Sequence, residues 1–101
     1  MTEQPSGAIV AVEYLYDPTR TAEIDEVRPA HREFLRGLLD AGTLLASGPH
    51  VDVDAPSALL ILRAPSAEAA LAALDEDPFT QHGLISERTA RLWNPVLGPW
   101  A

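Results

Sequence analysis

The chain has 101 residues, enough for one domain with one core, so any pocket is shallow or shared with a second copy. It contains no cysteine, which excludes disulfides, thiolate nucleophiles, iron–sulfur clusters and thiolate zinc sites. Its 15 acidic residues outnumber 7 basic ones, all arginine, and the formal net charge of −8 at pH 7 repels a phosphate backbone, so no nucleic-acid partner is expected.

The hydrophobic share of 47% is that of an ordinary soluble globule, and no apolar run approaches the length of a membrane helix, so no membrane partner is expected. Met1–Gly7 holds no basic residue and no apolar stretch of signal-peptide type, so a cytoplasmic location is the expectation.

Ala8–Tyr16, AIVAVEYLY, is dense in β-branched and aromatic residues and reads as a mostly buried strand that Asp17-Pro18-Thr19 ends. Arg20–Val27 is acidic, with Ile24 and Val27 three apart, and reads as a loop or short helical turn. Pro29 is expected to open the main helix, because the first turn has no acceptor for the N–H that proline lacks. Phe34, Leu35, Leu38 and Leu39 form its apolar stripe, it ends at Asp40 or Ala41, and Gly42 supplies the left-handed stop.

Thr43–Val51 reads as a second strand in which Ser47-Gly48-Pro49 predicts a bend, a bulge or a sheet edge where a pocket wall opens. Asp52–Ser57 is a turn. Ala58–Ala64, ALLILRA, a continuous apolar run but for Arg63, is expected at the sheet centre. Ser66 caps a second helix over Glu68–Leu74, which Asp75-Glu76-Asp77 ends. Pro78–Gly83 is a compact turn, Leu84–Trp93 a half-exposed fourth strand, and Asn94–Ala101 a tail carrying Trp100.

The order β-α-β-β-α-β predicts an α+β, ferredoxin-like domain spanning residues 1–101, with its core about 8–93: a four-stranded antiparallel sheet with two helices on one face. Apolar residues point from both faces of the first and third strands. The face without helices therefore needs a cover, and a second copy of the chain is the expected one, making a homodimer through the sheet face.

His31 follows Pro29 by two residues and shares the stripe of Phe34, Leu35 and Leu38, so its imidazole points inward. It is either a satisfied core histidine or a proton-transfer group, neutral at rest if it sits at a helix N-terminus without a carboxylate nearby. Asp77 is either a cap of the turn at Pro78 or, since both helical connections approach each other in this topology, a carboxylate that orients His31. Arg28 either pairs with a neighbouring acid or faces the pocket. Ser47 lies outside any nucleophile-elbow pattern, which favours a hydrogen-bonding role. His50 and His82 complete the histidines, but no pair has metal-binding spacing, so no metal is expected. Tyr14 is a candidate for the floor of the pocket, where a buried tyrosine fills space and hydrogen-bonds.

Arg28-Pro29-Ala30-His31, then Leu44-Leu45-Ala46-Ser47-Gly48-Pro49, then Asp77-Pro78-Phe79 with Gly83 and Leu84 following, resemble the successive signatures of the YCII-related (YciI-like) family over about Ile9 to Trp93. The resemblance implies a dimeric α/β barrel of ferredoxin-like subunits with His31 and Asp77 as a catalytic pair. It also implies that Ser47 and Gly48, with Pro49 and Phe79, line the cleft, and that Arg28 meets an anionic substrate. One branch of that family removes chloride from a chlorinated hydroxyquinol. The expected function is a cofactor-independent small-molecule enzyme of lyase, isomerase or dehalogenase type. The alternative is a non-catalytic ligand-binding or dimeric accessory protein.

Overall fold

A computed structural model describes residues 7–101. Its elements are β1 (Ala8–Tyr16), α1 (Thr21–Asp40), β2 (Leu44–Pro49), β3 (Ser57–Ala64), α2 (Ala67–Ala73), α3 (Pro78–Gln81) and β4 (Ile85–Trp93). The strands form one antiparallel sheet in the order β2-β3-β1-β4. This is the expected ferredoxin-like arrangement, with β3 and β1 central. The expectation for the N-terminal residues concerns Met1–Ser6, outside the described residues. No helix among the described residues is long and apolar enough to cross a membrane.

Alternation along β1 sorts the sheet into two faces. Val10, Val12, Tyr14 and Tyr16 point to the helices and are buried, and their neighbours Leu60 and Leu62 of β3 join them in the core. α1 packs on β2 and α3, whereas α2 lies over β1, β3 and β4. The opposite face carries Ile9, Leu15, Leu59, Ile61 and Trp93, but also Glu13, Arg63 and Arg91, so it is less apolar than β1 and β3 suggested. Leu15, Leu59 and Trp93 are 39%, 37% and 44% exposed there.

The main helix begins eight residues earlier than Pro29, at Thr21, and Pro29 lies in its interior. Ile24, His31 and Leu35 are its buried residues, so the acidic Arg20–Val27 segment is the helix's first turns, anchored by Ile24. Proline forfeits the bond to the Asp25 carbonyl and crowds it. Both residues are on the exposed side, where water can serve that carbonyl. His31 is therefore mid-helix, and the argument from a helix N-terminus does not apply to it. Leu39, placed on the apolar stripe, is 50% exposed.

At the other end Gly42, with φ of 84°, takes the left-handed conformation expected of the stop. Ser66 caps α2 by accepting from the Ala69 N–H at 3.1 Å. The predicted turn at Pro78 is a single helical turn, α3, so three helices rather than two accompany the sheet.

β2 is an edge strand that stops at Pro49 instead of Val51. Its irregularity lies before Ser47-Gly48-Pro49: Leu44 pairs with Leu62, but Ala46 rather than Leu45 pairs with Ile61. The extra residue reverses the alternation. Ser47 and Pro49 stand opposite Leu60 and Ala58 and so share their helix-side face.

Candidate functional site

The site is assembled where α3 meets α1 and β1. Pro78, lacking an N–H, suits the first position of α3, and Asp77 caps it by accepting from the Phe79 N–H at 3.0 Å. That cap sits in the core, because Asp77 is fully buried. A buried carboxylate must be matched by donors. Oδ2 accepts the Tyr14 O–H at 2.9 Å, and His31 Nδ1 lies 2.8 Å from Oδ1 and 2.9 Å from Oδ2. The two readings of Asp77, as cap and as histidine partner, hold together in one side chain.

These contacts set the histidine tautomer. Burial, and then the charge of Asp77, push the Tyr14 hydroxyl far above the usual tyrosine range, so it stays an O–H donor. With Tyr14 and the Phe79 amide both donating, Asp77 is an acceptor at both oxygens. The atom facing it on His31 is then Nδ1–H. Nε2 has no hydrogen-bond partner among the described residues and is the ring nitrogen left for a ligand. The imidazole stacks on Phe79 at 3.9 Å between centroids and 11° between planes, and Tyr16 meets Phe79 edge-on at 5.4 Å. Each of these contacts limits rotation of the imidazole.

His31 forms part of the wall of a cleft of about 490 Å³. Arg28, Ser47, Gly48, Pro49 and Phe79 line the same cleft. Tyr14 does not: it is fully buried and meets the site from below, through its bond to Asp77 and through its ring, whose centroid is 6.2 Å from that of Tyr16 and 6.4 Å from that of His31, so it underlies the histidine rather than lining the cleft. Arg28 is both paired and in the cleft, with Asp25 as its ion-pair partner one helical turn away.

The cleft also contains Tyr16, Arg32 and the apolar Leu35, Ala58 and Leu60, which the sequence reading did not select. The signals existed: Tyr16 follows Tyr14 at strand period, and Arg32 follows Arg28 at helix period. Burial, and then the charge of Asp77, push the Tyr16 hydroxyl up to about 12 against the pull of Arg28 and Arg32. The remaining histidines lie elsewhere. His50 Nδ1 is 2.8 Å from Ser57 Oγ, and His82 caps the end of α3. Among the described residues, no three histidine, aspartate or glutamate side chains are grouped to hold a metal ion.

The solved structures that resemble this fold include two described by activity. One is the 5-chloro-2-hydroxyhydroquinone dehydrochlorinase TftG from Burkholderia phenoliruptrix AC1100 in complex with 2,5-dihydroxybenzoquinone, at 20% identity and a TM-score of 0.73, covering 85% of this chain and 93% of that one. The other is an antibiotic biosynthesis monooxygenase, at 21% identity and a TM-score of 0.55, covering 88% and 98%. At these identities the likeness establishes the fold alone. No curated protein sequence matches the chain. The model of the YCII-related domain matches residues 9–94, nearly the whole of the described fold and every residue of the cleft, and the chain belongs to that family.

Proposed function

We propose that the chain is a cofactor-independent enzyme that moves a proton on a small molecule, with His31 as the base and acid and Asp77 as the group that orients it. One observation carries this reading: Nδ1 of His31 is held by a fully buried carboxylate while the ring itself borders an open cleft. Nε2 takes a proton from an acidic O–H or C–H of the ligand. Asp77 stabilises the imidazolium that forms, and the ring then delivers the proton to a second atom.

In a chlorinated hydroquinol of the kind named for TftG, one O–H proton passes to Nε2 and returns to the chlorine-bearing carbon. Loss of a second O–H proton then expels chloride. The sum is loss of HCl with no net oxidation, so histidine chemistry suffices. The decisive measurements are chloride release from 5-chloro-2-hydroxyhydroquinone and deuterium uptake from D2O into 2,5-dihydroxybenzoquinone. Wild-type protein is expected to accelerate at least one, and His31→Gln to lower that rate by about 10²–10⁴-fold. Ligand binding with neither reaction would leave the accessory or binding role instead.

We propose further that two copies pair through the open sheet face. Leu15, Leu59 and Trp93 are exposed there, and charges of both signs on the same face can pair across a two-fold axis. Sedimentation equilibrium should give a dimer for the wild type and a monomer with an unchanged circular-dichroism spectrum for Leu59→Asp. A wild type that is monomeric at micromolar concentration would end this assignment.

A further inference from the structure

The chain carries 7 arginines against 15 acids, yet two of those arginines border the cleft and no carboxylate side chain does. Arg28 is occupied by Asp25. Arg32, one turn further along α1 and next to His31, has no carboxylate within ion-pair distance among the described residues. Tyr16 makes a second unmatched contribution. Its ring is held against Phe79, yet its hydroxyl has no hydrogen-bond partner among the described residues. That hydroxyl, pushed up to about 12, is a neutral donor at physiological pH, and it lies within the field of both guanidinium groups.

A free O–H and a free guanidinium in one cleft with apolar Leu35 and Leu60 describe a recognition site for a small organic anion. We propose that Tyr16 and Arg32 form an oxyanion subsite beside His31. In it they hold the ionised oxygen of a ring-sized ligand, a carboxylate or an enolate, whose apolar body rests on Leu35 and Leu60. The subsite rests on the reading of this cleft as the place where a small molecule binds. It adds two residues, Tyr16 and Arg32, that touch the ligand's charged oxygen. A ligand anchored in this way presents its proton-bearing atoms to the same cleft that His31 borders.

Titration calorimetry at low salt with three probes tests the idea: 2,5-dihydroxybenzoquinone as the enolate, benzoate as the carboxylate, and hydroquinone as an uncharged ring. At least one anion is expected to bind about 10-fold or more tightly than hydroquinone, as a hydrogen bond to a charged group implies. Whichever anion binds identifies the oxyanion. Tyr16→Phe and Arg32→Gln should each weaken that anion by about 10-fold without changing hydroquinone, and Arg32→Lys should recover part of the loss. Far-ultraviolet circular dichroism and a melting curve confirm that each variant is folded.

Equal binding of all three probes, no binding of either anion, or wild-type affinity in both variants would overturn the subsite. Calorimetry needs no turnover, so the two readings fail separately. Anion preference without chloride release or deuterium uptake ends the proton-transfer reading and leaves the subsite. Turnover without anion preference does the reverse.

Discussion

Replacing Asp77 by alanine is expected to lower the unfolding free energy by about 3–5 kcal/mol, the scale for breaking a buried hydrogen-bonded charge. One carboxylate satisfies three donors in the core: the Tyr14 hydroxyl, the His31 ring and the Phe79 amide. Alanine leaves all three without an acceptor and removes the cap of α3 as well. For a domain of this size the melting temperature should fall by roughly 15–30 °C. Asp77→Asn retains one acceptor oxygen and should lose less. Tyr14→Phe, which removes a single donor, should cost about 1–2 kcal/mol. In the Asp77→Ala background the same tyrosine change should cost almost nothing, because the hydroxyl it deletes is already unmatched. Urea unfolding of the wild type and the four variants reads these differences. An Asp77→Ala midpoint near that of the wild type would mean that the buried network contributes little to folding.

Alkaline titration should give an equally large effect. The sequence holds two tyrosines, and both lie at this site, Tyr14 bonded to Asp77 and Tyr16 in the cleft with its ring against Phe79. Each is pushed above its ordinary value of 10.0, Tyr16 to about 12 and Tyr14 further still, with burial the main cause for both. Above pH 10 the unfolded chain loses its phenolic protons while the native state keeps them, so the unfolded state binds fewer protons and stability falls as pH rises. The stability is complete below pH 10 and is lost as pH climbs through about 12. For Tyr16 alone that loss amounts to roughly 3 kcal/mol. The near-ultraviolet phenolate band should stay flat through pH 10 and then appear together with the loss of the helical circular-dichroism signal. A reversible rise of that band near pH 10 in protein that is still folded would contradict the buried arrangement.

Much of the fold is legible in local chemistry. The β-branched and aromatic density of Ala8–Tyr16, the apolar run Ala58–Leu62, the Ser66 cap and the Gly42 stop each follow from a steric or hydrogen-bonding rule that operates within a few residues. The start of α1 lies eight residues before Pro29 for a related reason. Proline is most at home in a first turn, and only the exposure of Asp25 and Pro29 explains why it is accepted deeper in the helix. The bulge at Leu45 left no mark, since Leu44-Leu45-Ala46 contains neither glycine nor proline and the extra residue is set by pairing with β3.

The proximity of His31 and Asp77 could be anticipated because the topology brings the two helical connections together. Tyr14 lies beneath them, as a residue of the pocket floor should, but its exclusion from the cleft surface could not be read. A strand pattern says that Tyr14 and Tyr16 share a face, but not that one is covered by α3 while the other borders open space. That distinction depends on where a four-residue helix ends up, which is a property of packing rather than of periodicity.

The irregular pairing in β2 bears on how such a protein changes its ligand. An outermost strand contributes little to the interior, so gaining or losing a bulge there re-phases its side chains at small cost to folding. Pairing Leu45 itself with Ile61, with no residue left over, would turn Ser47 and Pro49 outward and bring their neighbours round to border the hollow, while His31 and Asp77 kept their positions. The fold thus separates the His31–Asp77 pair from a wall that can be re-phased, and gain or loss of the bulge in that wall is a direct evolutionary route to a differently lined cleft.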